Sequence, residues 1–187
     1  MIIGLTGTFG SGKTTIADHL KSKNFQYITI SDLVREETKK QNLPIEREIL
    51  QNIGNKMREL HGNDYWAKRV LEKINTNENW IVDGIRNPGE IEELKKIKGF
   101  LLIAFNAPIE KRLKRMTNQK GIRAERVHSD PKEIEEIKRL EARDRGINEA
   151  EFGQQVEKCM AQADHEIHTN EPVEETIKKI NKLLEIT

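Results

Sequence analysis

The sequence predicts an α/β fold in which a five-stranded parallel sheet is covered by helices on both faces. Short apolar segments typical of buried strands alternate along the 187 residues with longer segments of helical periodicity. A glycine-rich loop follows directly on the first of these strands. Glycine and proline occur singly, at the ends of elements. We therefore expect residues 1–187 to form one domain.

The predicted elements follow in a regular order. Ser31 is the expected N-cap of the second helix, and Pro44 is expected to begin the third. We place the strands at about 2–6, 25–30, 80–82, 100–105 and 165–168. We place the helices at about 13–23, from 31 onward, 44–60, 65–74, 87–98, from 108 onward, 131–145, 147–161 and after 170. In such a sheet the functional site is expected beyond the carboxyl ends of the strands.

Composition argues against several classes of partner. The net charge is +1, from 32 basic and 31 acidic residues, so no global field attracts nucleic acid or an anionic membrane. No apolar segment approaches the roughly 18 residues needed to span a bilayer, and the first residues do not resemble a signal peptide. The single cysteine, Cys159, excludes an internal disulfide and fits a reducing compartment. We expect a cytoplasmic protein, monomer or homodimer, without nucleic-acid or membrane partners.

The strongest motif is the segment from Gly7 to Thr14, which matches G-x-x-x-x-G-K-[ST] between a strand and a helix. Its glycines let the backbone curl so that N–H groups surround a phosphate, and the helix adds its positive end. Lys13 is expected to contact the β- and γ-phosphates of ATP, and the Thr14 hydroxyl to bind Mg²⁺. The predicted nucleotide contacts are Gly7, Phe9, Gly10, Ser11, Gly12, Lys13, Thr14 and Thr15.

An acidic residue ends the third predicted strand. The apolar segment Trp80-Ile81-Val82 is followed by Asp83, an arrangement similar to the Walker B motif. Beside a phosphate-binding loop, that carboxylate is expected to hold Mg²⁺ together with Thr14. The alternative is that Asp83 only begins a turn.

Two arginines also follow predicted strands. Arg86 comes after Asp83-Gly84, where it is expected to grip an acceptor's phosphate or to pair with Glu90 one turn on. Arg35 lies in the first turns of the helix that begins at Ser31, and we expect it to bind the acceptor as well. Asp32 is either an acceptor ligand or only a partner of the helix dipole.

A basic segment follows the fourth strand. It contains Lys111, Arg112, Lys114, Arg115, Lys120, Arg123 and Arg126. We interpret residues of about 116–131 as a lid whose arginines stabilise the transferred phosphoryl group, with Arg115 as the candidate catalytic residue. The alternative is a solvated helix face. Arg139 and Arg143 either cover the cleft from beyond the lid or pair with glutamates on their own helix.

Taken together, these segments resemble the P-loop nucleotide kinase superfamily, nearest its adenylate-kinase-like and dephospho-coenzyme-A-kinase-like group, which includes prokaryotic adenylate-kinase-related proteins. Residues 30–35 resemble an acceptor-binding helix start, and residues 83–86 resemble D-G-F-P-R with one residue fewer. Residues 163–170 resemble the ending A-D-x-x-I-x-N. The resemblance implies an acceptor-binding helical region at about 31–75, a lid at about 116–131, and Asn170 close to the base of the donor.

These observations lead to three functional hypotheses. The first is an ATP- and Mg²⁺-dependent kinase of a nucleoside monophosphate or a similar small acceptor, in which Lys13, Arg86 and Arg115 are catalytic and Asp32, Arg35 and Arg86 bind the acceptor. Dephospho-coenzyme A is one such acceptor, and GTP in place of ATP stays open. The second is a non-catalytic nucleotide sensor or switch. The third is a kinase or repair enzyme for nucleic-acid ends, against which the small net charge argues.

Overall fold

The structure is a computed structural model that describes residues 1–118 and 131–186. Within them lies a five-stranded sheet, and all of its strand pairings are parallel. The strands are β1 (Ile2–Gly7), β2 (Gln26–Thr29), β3 (Trp80–Asp83), β4 (Phe100–Asn106) and β5 (His165–His168). Their order across the sheet is β2-β3-β1-β4-β5. The predicted fold class is confirmed.

The helices of the described residues connect these strands. They are α1 (Lys13–Lys21), α2 (Ile30–Lys40), α3 (Arg47–His61), α4 (Tyr65–Leu71), α5 (Pro88–Leu94), α6 (Ile109–Asn118), α7 (Pro131–Arg145), α8 (Val156–Ala161) and α9 (Val173–Leu184). Parallel strands begin at the same end of the sheet, so the chain must return to that end after each strand. Each of these connections carries at least one helix. No helix of residues 1–118 and 131–186 has the length and apolarity to cross a membrane.

Two separate cores cover the two faces of the sheet. Successive side chains of a strand point to opposite faces, and in β1 Ile2 contributes to one core whereas Ile3 and Leu5 contribute to the other. Side chains of α2, α3, α4, α5 and α8 pack in the first core. The second is formed with α1 and α9. Both cores bury apolar area, which makes the sheet a rigid support for the loops at its edges.

Two predicted helix starts are wrong. Ser31 is not the N-cap of α2, because the Thr29 hydroxyl accepts a hydrogen bond from the Ser31 N–H at 3.2 Å and Ile30 is already helical. With this helix start, Ile30 belongs to the first turn and is buried in the core. A cap at Ser31 would instead leave Ile30 outside the helix. Helix α3 begins at Arg47 rather than at Pro44. Other boundaries differ by a few residues.

The predicted helix at 147–161 is largely wrong, because α8 begins only at Val156. Gly146 has a φ of 96° and ends the preceding helix. In the following loop, residues 146–155, two backbone carbonyls accept hydrogen bonds from a distant side chain. Asn87 Nδ2 donates to Glu151 O and Gly153 O, each at 2.9 Å. These carbonyls therefore have tertiary partners instead of helical ones. The predicted lid lies mostly outside the described residues, with Lys120, Arg123 and Arg126.

Candidate functional site

A cavity of about 1190 Å³ opens at the carboxyl edge of the sheet. Such a volume exceeds the roughly 300–1,000 Å³ of a typical single-ligand pocket and has room for two small molecules. The predicted site residues that line it are Gly7, Phe9, Gly10, Ser11, Gly12, Lys13, Thr14, Thr15, Asp32, Arg35, Asp83, Arg86 and Arg115. Asn170 does not line the cavity, although its neighbours Thr169 and Glu171 do. The structure thus brings together residues from several elements that are far apart in sequence.

The loop between β1 and α1 requires glycine at Gly7. Its φ is 131°, and a Cβ placed there would lie 2.1 Å from the backbone oxygen of Phe105 on β4. Any side chain would therefore push β1 away from β4 or distort the loop. Gly12 also has a positive φ, 92°, immediately before the first turn of α1. The loop ends at the N-terminus of α1, where free N–H groups and the helix dipole favour a bound phosphate.

The Lys13 side chain folds over this loop. Its Nζ donates hydrogen bonds to Gly7 O at 2.7 Å, to Thr8 O at 2.8 Å and to Ser11 Oγ at 3.3 Å. Burial of the ammonium lowers the pKa of Lys13 from 10.5 to about 8, partly opposed by the nearby Asp83 carboxylate and reinforced by Arg86. The Lys13 ammonium is thus held at the phosphate loop, and it is more acidic than that of an ordinary lysine.

This pKa predicts that ATP binding depends on pH. Binding of a triphosphate favours the charged lysine, so ATP should bind about tenfold more weakly at pH 9 than at pH 7, with uptake of a proton at the higher pH. Calorimetric titration of Mg·ATP in buffers of different ionisation enthalpy measures both quantities. The Lys13→Arg variant is the control, because a guanidinium keeps its charge throughout this range. Equal wild-type affinity at both pH values would contradict the assignment.

Asp83 has one paired and one unpaired carboxylate oxygen. Tyr27 donates its hydroxyl hydrogen bond to Asp83 Oδ2 at 2.7 Å. Asp83 Oδ1 is buried, and no described residue bonds to it. A buried carboxylate oxygen without a protein donor suits a cation or its bound water. The residues therefore fit Mg²⁺, with Asp83 and Thr14 as the candidate ligands.

Arg86 does not pair with Glu90. The Glu90 carboxylate instead pairs with Arg58 Nη2 at 2.7 Å, and it accepts hydrogen bonds from the N–H groups of Arg86 and Asn87 at 2.8 and 3.1 Å. No hydrogen bond or ion pair to the Arg86 guanidinium is found in residues 1–118 and 131–186. The backbone of Arg86 is thus held in place while its side chain lines the cavity.

Arg35 makes an exposed ion pair with Asp32 at 2.8 Å. Both side chains line the cavity. An exposed pair of this kind contributes little stability, so an incoming phosphate can readily replace the Asp32 carboxylate. The predicted roles of Asp32 and Arg35 in acceptor binding stay predictions.

Arg115 joins the phosphate loop to the segment after β5. It donates to Thr169 Oγ1 at 2.9 Å and Thr169 O at 2.6 Å, and to Gly10 O at 3.3 Å. The Thr169 hydroxyl in turn donates to Ser11 O at 2.9 Å. Next to it, Lys111 Nζ donates to Asn170 O. The segment at Asn170 therefore lies beside the loop, but Asn170 itself is exposed and its predicted contact with the donor base stays a prediction.

Arg112 is structural rather than a free lid arginine. Its guanidinium pairs with Glu141 on α7 through two hydrogen bonds of 2.9 and 2.7 Å, and both side chains are buried. It also donates to Ala107 O at 2.9 Å and to Phe9 O at 3.1 Å. Arg139 and Arg143 likewise do not line the cavity, and they pair with Glu136, Glu48 and Glu149.

The structure adds site residues that sequence reasoning missed. Arg47, Gln51 and Asp144 line the same cavity. The Arg47 guanidinium lies 4.2 Å from the ring centroid of Phe9, a cation–π contact with the phosphate loop. Asp144 is buried and accepts hydrogen bonds from Arg47 and, at 2.6 Å, from Gln51. No local motif marks these positions, and the one available signal is the helical spacing that puts Arg47 and Gln51 on one face of α3.

Solved structures share this fold. A shikimate kinase from Bacteroides thetaiotaomicron superposes with a TM-score of 0.56 at 17% identity, covering 100% of this chain and 99% of that one. The protein TT1252 from Thermus thermophilus superposes with a TM-score of 0.61 at 19% identity, covering 100% and 98%. At these identities the likeness shows the fold alone, which is that of P-loop kinases.

Sequence comparison shows the family. A family model described as an AAA domain matches residues 3–151. A UPF0200 protein from Saccharolobus islandicus (strain L.S.2.15 / Lassen #1) is 33% identical over 182 residues, which cover 95% of this chain and 88% of that protein. The chain belongs to the AAA-domain family of that model and to the UPF0200 family.

Other UPF0200 relatives match over a smaller share of their own length. The UPF0200 protein of Sulfurisphaera tokodaii is 41% identical over 115 residues, 62% of this chain and 64% of that protein. The UPF0200/UPF0201 protein of Archaeoglobus fulgidus is 32% identical over 191 residues, 98% of this chain and 54% of that protein. The chain thus spans somewhat more than half the length of these two relatives. The P-loop kinase resemblance of the sequence is confirmed by the fold and by the family model.

Proposed function

We propose that this UPF0200 chain is an ATP- and Mg²⁺-dependent kinase that transfers the γ-phosphoryl group to a nucleoside monophosphate or a similar small acceptor. The observation that carries the proposal is the continuous cavity that joins the phosphate loop to Arg35 and Arg86. A binding module for one nucleotide needs only the loop. A second set of cationic side chains in the same cavity suits a second, phosphate-bearing ligand.

The donor side of the proposed reaction rests on the loop and its lysine. Backbone N–H groups of residues 7–14 and the N-terminus of α1 would hold the β-phosphate, while Lys13 would leave Gly7 O and Thr8 O to contact the β- and γ-phosphates. Thr14 and Asp83 would hold Mg²⁺, which would neutralise charge on the phosphate oxygens. Tyr27 fixes the orientation of the Asp83 carboxylate through its hydrogen bond to Oδ2.

On the acceptor side, Arg86 and Arg35 would bind the acceptor phosphate and align its attacking oxygen with the γ-phosphorus. Arg86 has a fixed backbone and a guanidinium without a described partner, so its side chain can bind an anion without breaking an ion pair within the described residues. Catalysis would then come from positioning and from charge stabilisation, with no covalent intermediate. Arg115 and Arg47 lie at the phosphate loop and would add positive charge as the transferred group moves.

The experiment is a product assay with Mg·ATP and a panel of acceptors. The panel holds the common ribo- and deoxyribonucleoside monophosphates, dephospho-coenzyme A and, because a fold neighbour is a shikimate kinase, shikimate. We expect one phosphate-bearing acceptor to be phosphorylated, and Arg86→Ala to raise its KM without changing the KM for ATP. Binding of ATP without any product across the panel would argue for a nucleotide sensor instead.

A further inference from the structure

An aromatic ring of the phosphate loop lies outside both hydrophobic cores and contacts a guanidinium. Phe9 is 37% exposed and packs in neither core. The Arg47 guanidinium lies 4.2 Å from its ring centroid. An aromatic face attracts a cation, so the ring gives the guanidinium a surface to rest on. A charged residue of α3 is thereby brought to the loop that is expected to hold the phosphates.

Arg47 is not placed to stabilise its own helix. It is the first residue of α3, where the positive end of the helix dipole disfavours a cation. Its Nη2 donates to Asp144 Oδ2, near the end of α7. The two side chains are 22% and 5% exposed, and both line the cavity. The position of Arg47 is therefore explained by its contacts at the cavity and not by the stability of α3.

The Asp144 carboxylate is held on both of its oxygens. Oδ1 accepts a hydrogen bond from Gln51 Nε2 at 2.6 Å, while Oδ2 accepts from Arg47. The arginines on either side of it in the sequence, Arg143 and Arg145, pair with glutamates instead. Among residues 1–118 and 131–186, Arg47 is therefore the cation that pairs with Asp144.

Helix α7 holds the backbone of Phe9 as well as the guanidinium on its ring. Phe9 O accepts a hydrogen bond from Arg112 Nη1 at 3.1 Å, and the Arg112 guanidinium pairs with Glu141. Glu141 lies one helical turn before Asp144 on α7. Two carboxylates on successive turns of α7 thus each hold an arginine that contacts Phe9. This arrangement fixes the ring relative to the guanidinium of Arg47.

We propose that Asp144 and Phe9 are positioning residues, which hold the Arg47 guanidinium at the phosphate loop so that it contacts the γ-phosphoryl group of the donor. A guanidinium has five N–H donors, and in the described part of the chain only Nη2 has an acceptor, Asp144. The other N–H groups can bind phosphate oxygens. Because the guanidinium is already in place, it needs no reorganisation when the donor binds. The inference rests on the proposed function and deepens it.

The test compares two nucleotides that differ in the γ-phosphate. The non-hydrolysable ATP analogue AMP-PNP and ADP, each with Mg²⁺, are titrated into the protein by calorimetry. We expect Asp144→Asn to weaken Mg·AMP-PNP binding by about tenfold, the loss of one charge-assisted hydrogen bond, and to change Mg·ADP binding by less than about twofold. A merely structural role of Asp144 would weaken the binding of both nucleotides alike.

A double-mutant cycle shows whether Asp144 acts through Arg47. Arg47→Ala should weaken Mg·AMP-PNP binding by about tenfold or more, and Asp144→Asn added to it should cause no further loss. Removing the Asp144 charge by itself favours a bound anion, because one repulsive charge is gone. Weaker binding in Asp144→Asn alone would therefore reflect a misplaced guanidinium.

Phe9→Leu removes the ring and leaves the ion pair of Arg47 intact. We expect Mg·AMP-PNP binding to weaken by about two- to fivefold, and Phe9→Tyr, which keeps the ring, to recover most of that loss. Glu48→Gln is the matched control for Asp144→Asn, because Glu48 is exposed, pairs with Arg139 and does not line the cavity. Thermal melting of each variant shows whether it is folded.

The outcomes judge the two proposals separately. Equal losses for the two nucleotides in Asp144→Asn, an unchanged Mg·AMP-PNP affinity, or a further loss in the double variant would each overturn the inference. If Asp144→Asn does not fold, Arg47→Ala and Phe9→Leu decide by the same comparison. The expected selective loss, with no product across the acceptor panel, would support the inference while the proposed kinase activity fails. Product formation by Asp144→Asn at the wild-type rate would support the kinase and overturn the inference.

Discussion

Lys13→Ala is expected to lower the turnover number for phosphoryl transfer by about 10²–10³-fold, the loss typical of removing one preorganised group that stabilises developing charge. Lys13 is held at the phosphate loop by three hydrogen bonds, so its side chain is already placed where the phosphates would lie. The measurement is product formation under saturating Mg·ATP with the acceptor that the panel identifies.

The matched control for this variant is Lys96→Ala. Lys96 is exposed, pairs with Glu93 at 2.6 Å and does not line the cavity. Its replacement removes one positive charge outside the site, so activity should stay at the wild-type level. Equal activity of Lys13→Ala and wild type would show that the loop does not bind the transferred phosphate in the proposed way.

Glu90→Ala is expected to lower the free energy of unfolding by about 3–5 kcal/mol, because it leaves the Arg58 guanidinium buried without its counter-ion. The side chains of Glu90 and Arg58 are 0% and 1% exposed. The same carboxylate accepts the N–H groups of Arg86 and Asn87 and completes the capping box of α5. Urea unfolding followed by circular dichroism measures the change.

An exposed ion pair provides the comparison. Glu36 pairs with Lys73 at 2.9 Å, with the two side chains 51% and 40% exposed. Glu36→Ala should cost less than about 1 kcal/mol, because solvent screens such pairs. A loss in Glu90→Ala as small as that in Glu36→Ala would mean that Arg58 finds water or another partner when Glu90 is absent.

Local patterns were sufficient to predict the sheet and the donor side of the site. The residues of the phosphate loop are consecutive. The positive φ angles at positions 7 and 12 favour glycine, and the motif specifies glycine at both positions. Asp83 was found because it ends an apolar strand, and strand ends meet at one edge of a parallel sheet. Each of these signals is contained in a short segment.

Other residues of the cavity could not be predicted in the same way as the phosphate loop, Arg35 and Arg86. Arg47 and Gln51 come from α3 and Asp144 from α7, so they meet only after long-range packing. The loop of residues 146–155 lies mostly within the helix predicted at about 147–161. Its carbonyls instead bond to Asn87, which is more than sixty residues earlier in the chain. A local sequence pattern does not indicate such a distant hydrogen-bond partner.

The start of α2 also could not be predicted from the local sequence alone. Thr29 and Ser31 are both good capping residues, two positions apart. Which of them caps is decided by whether Ile30 enters the first turn and reaches the core, and in the structure it does. Tertiary burial therefore selects between two locally equivalent starts.

The environment of Arg112 limits how this part of the chain can change over evolution. Its Nε and Nη atoms bond to Ala107 O, Phe9 O and the Glu141 carboxylate at once. A lysine has one compact ammonium group and cannot span three such acceptors, so the two cationic residues are not interchangeable here. Replacing the arginine alone would leave the buried Glu141 carboxylate with Arg145, at 3.0 Å, as its remaining cationic partner among the described residues, so we expect substitutions at positions 112 and 141 to be coupled.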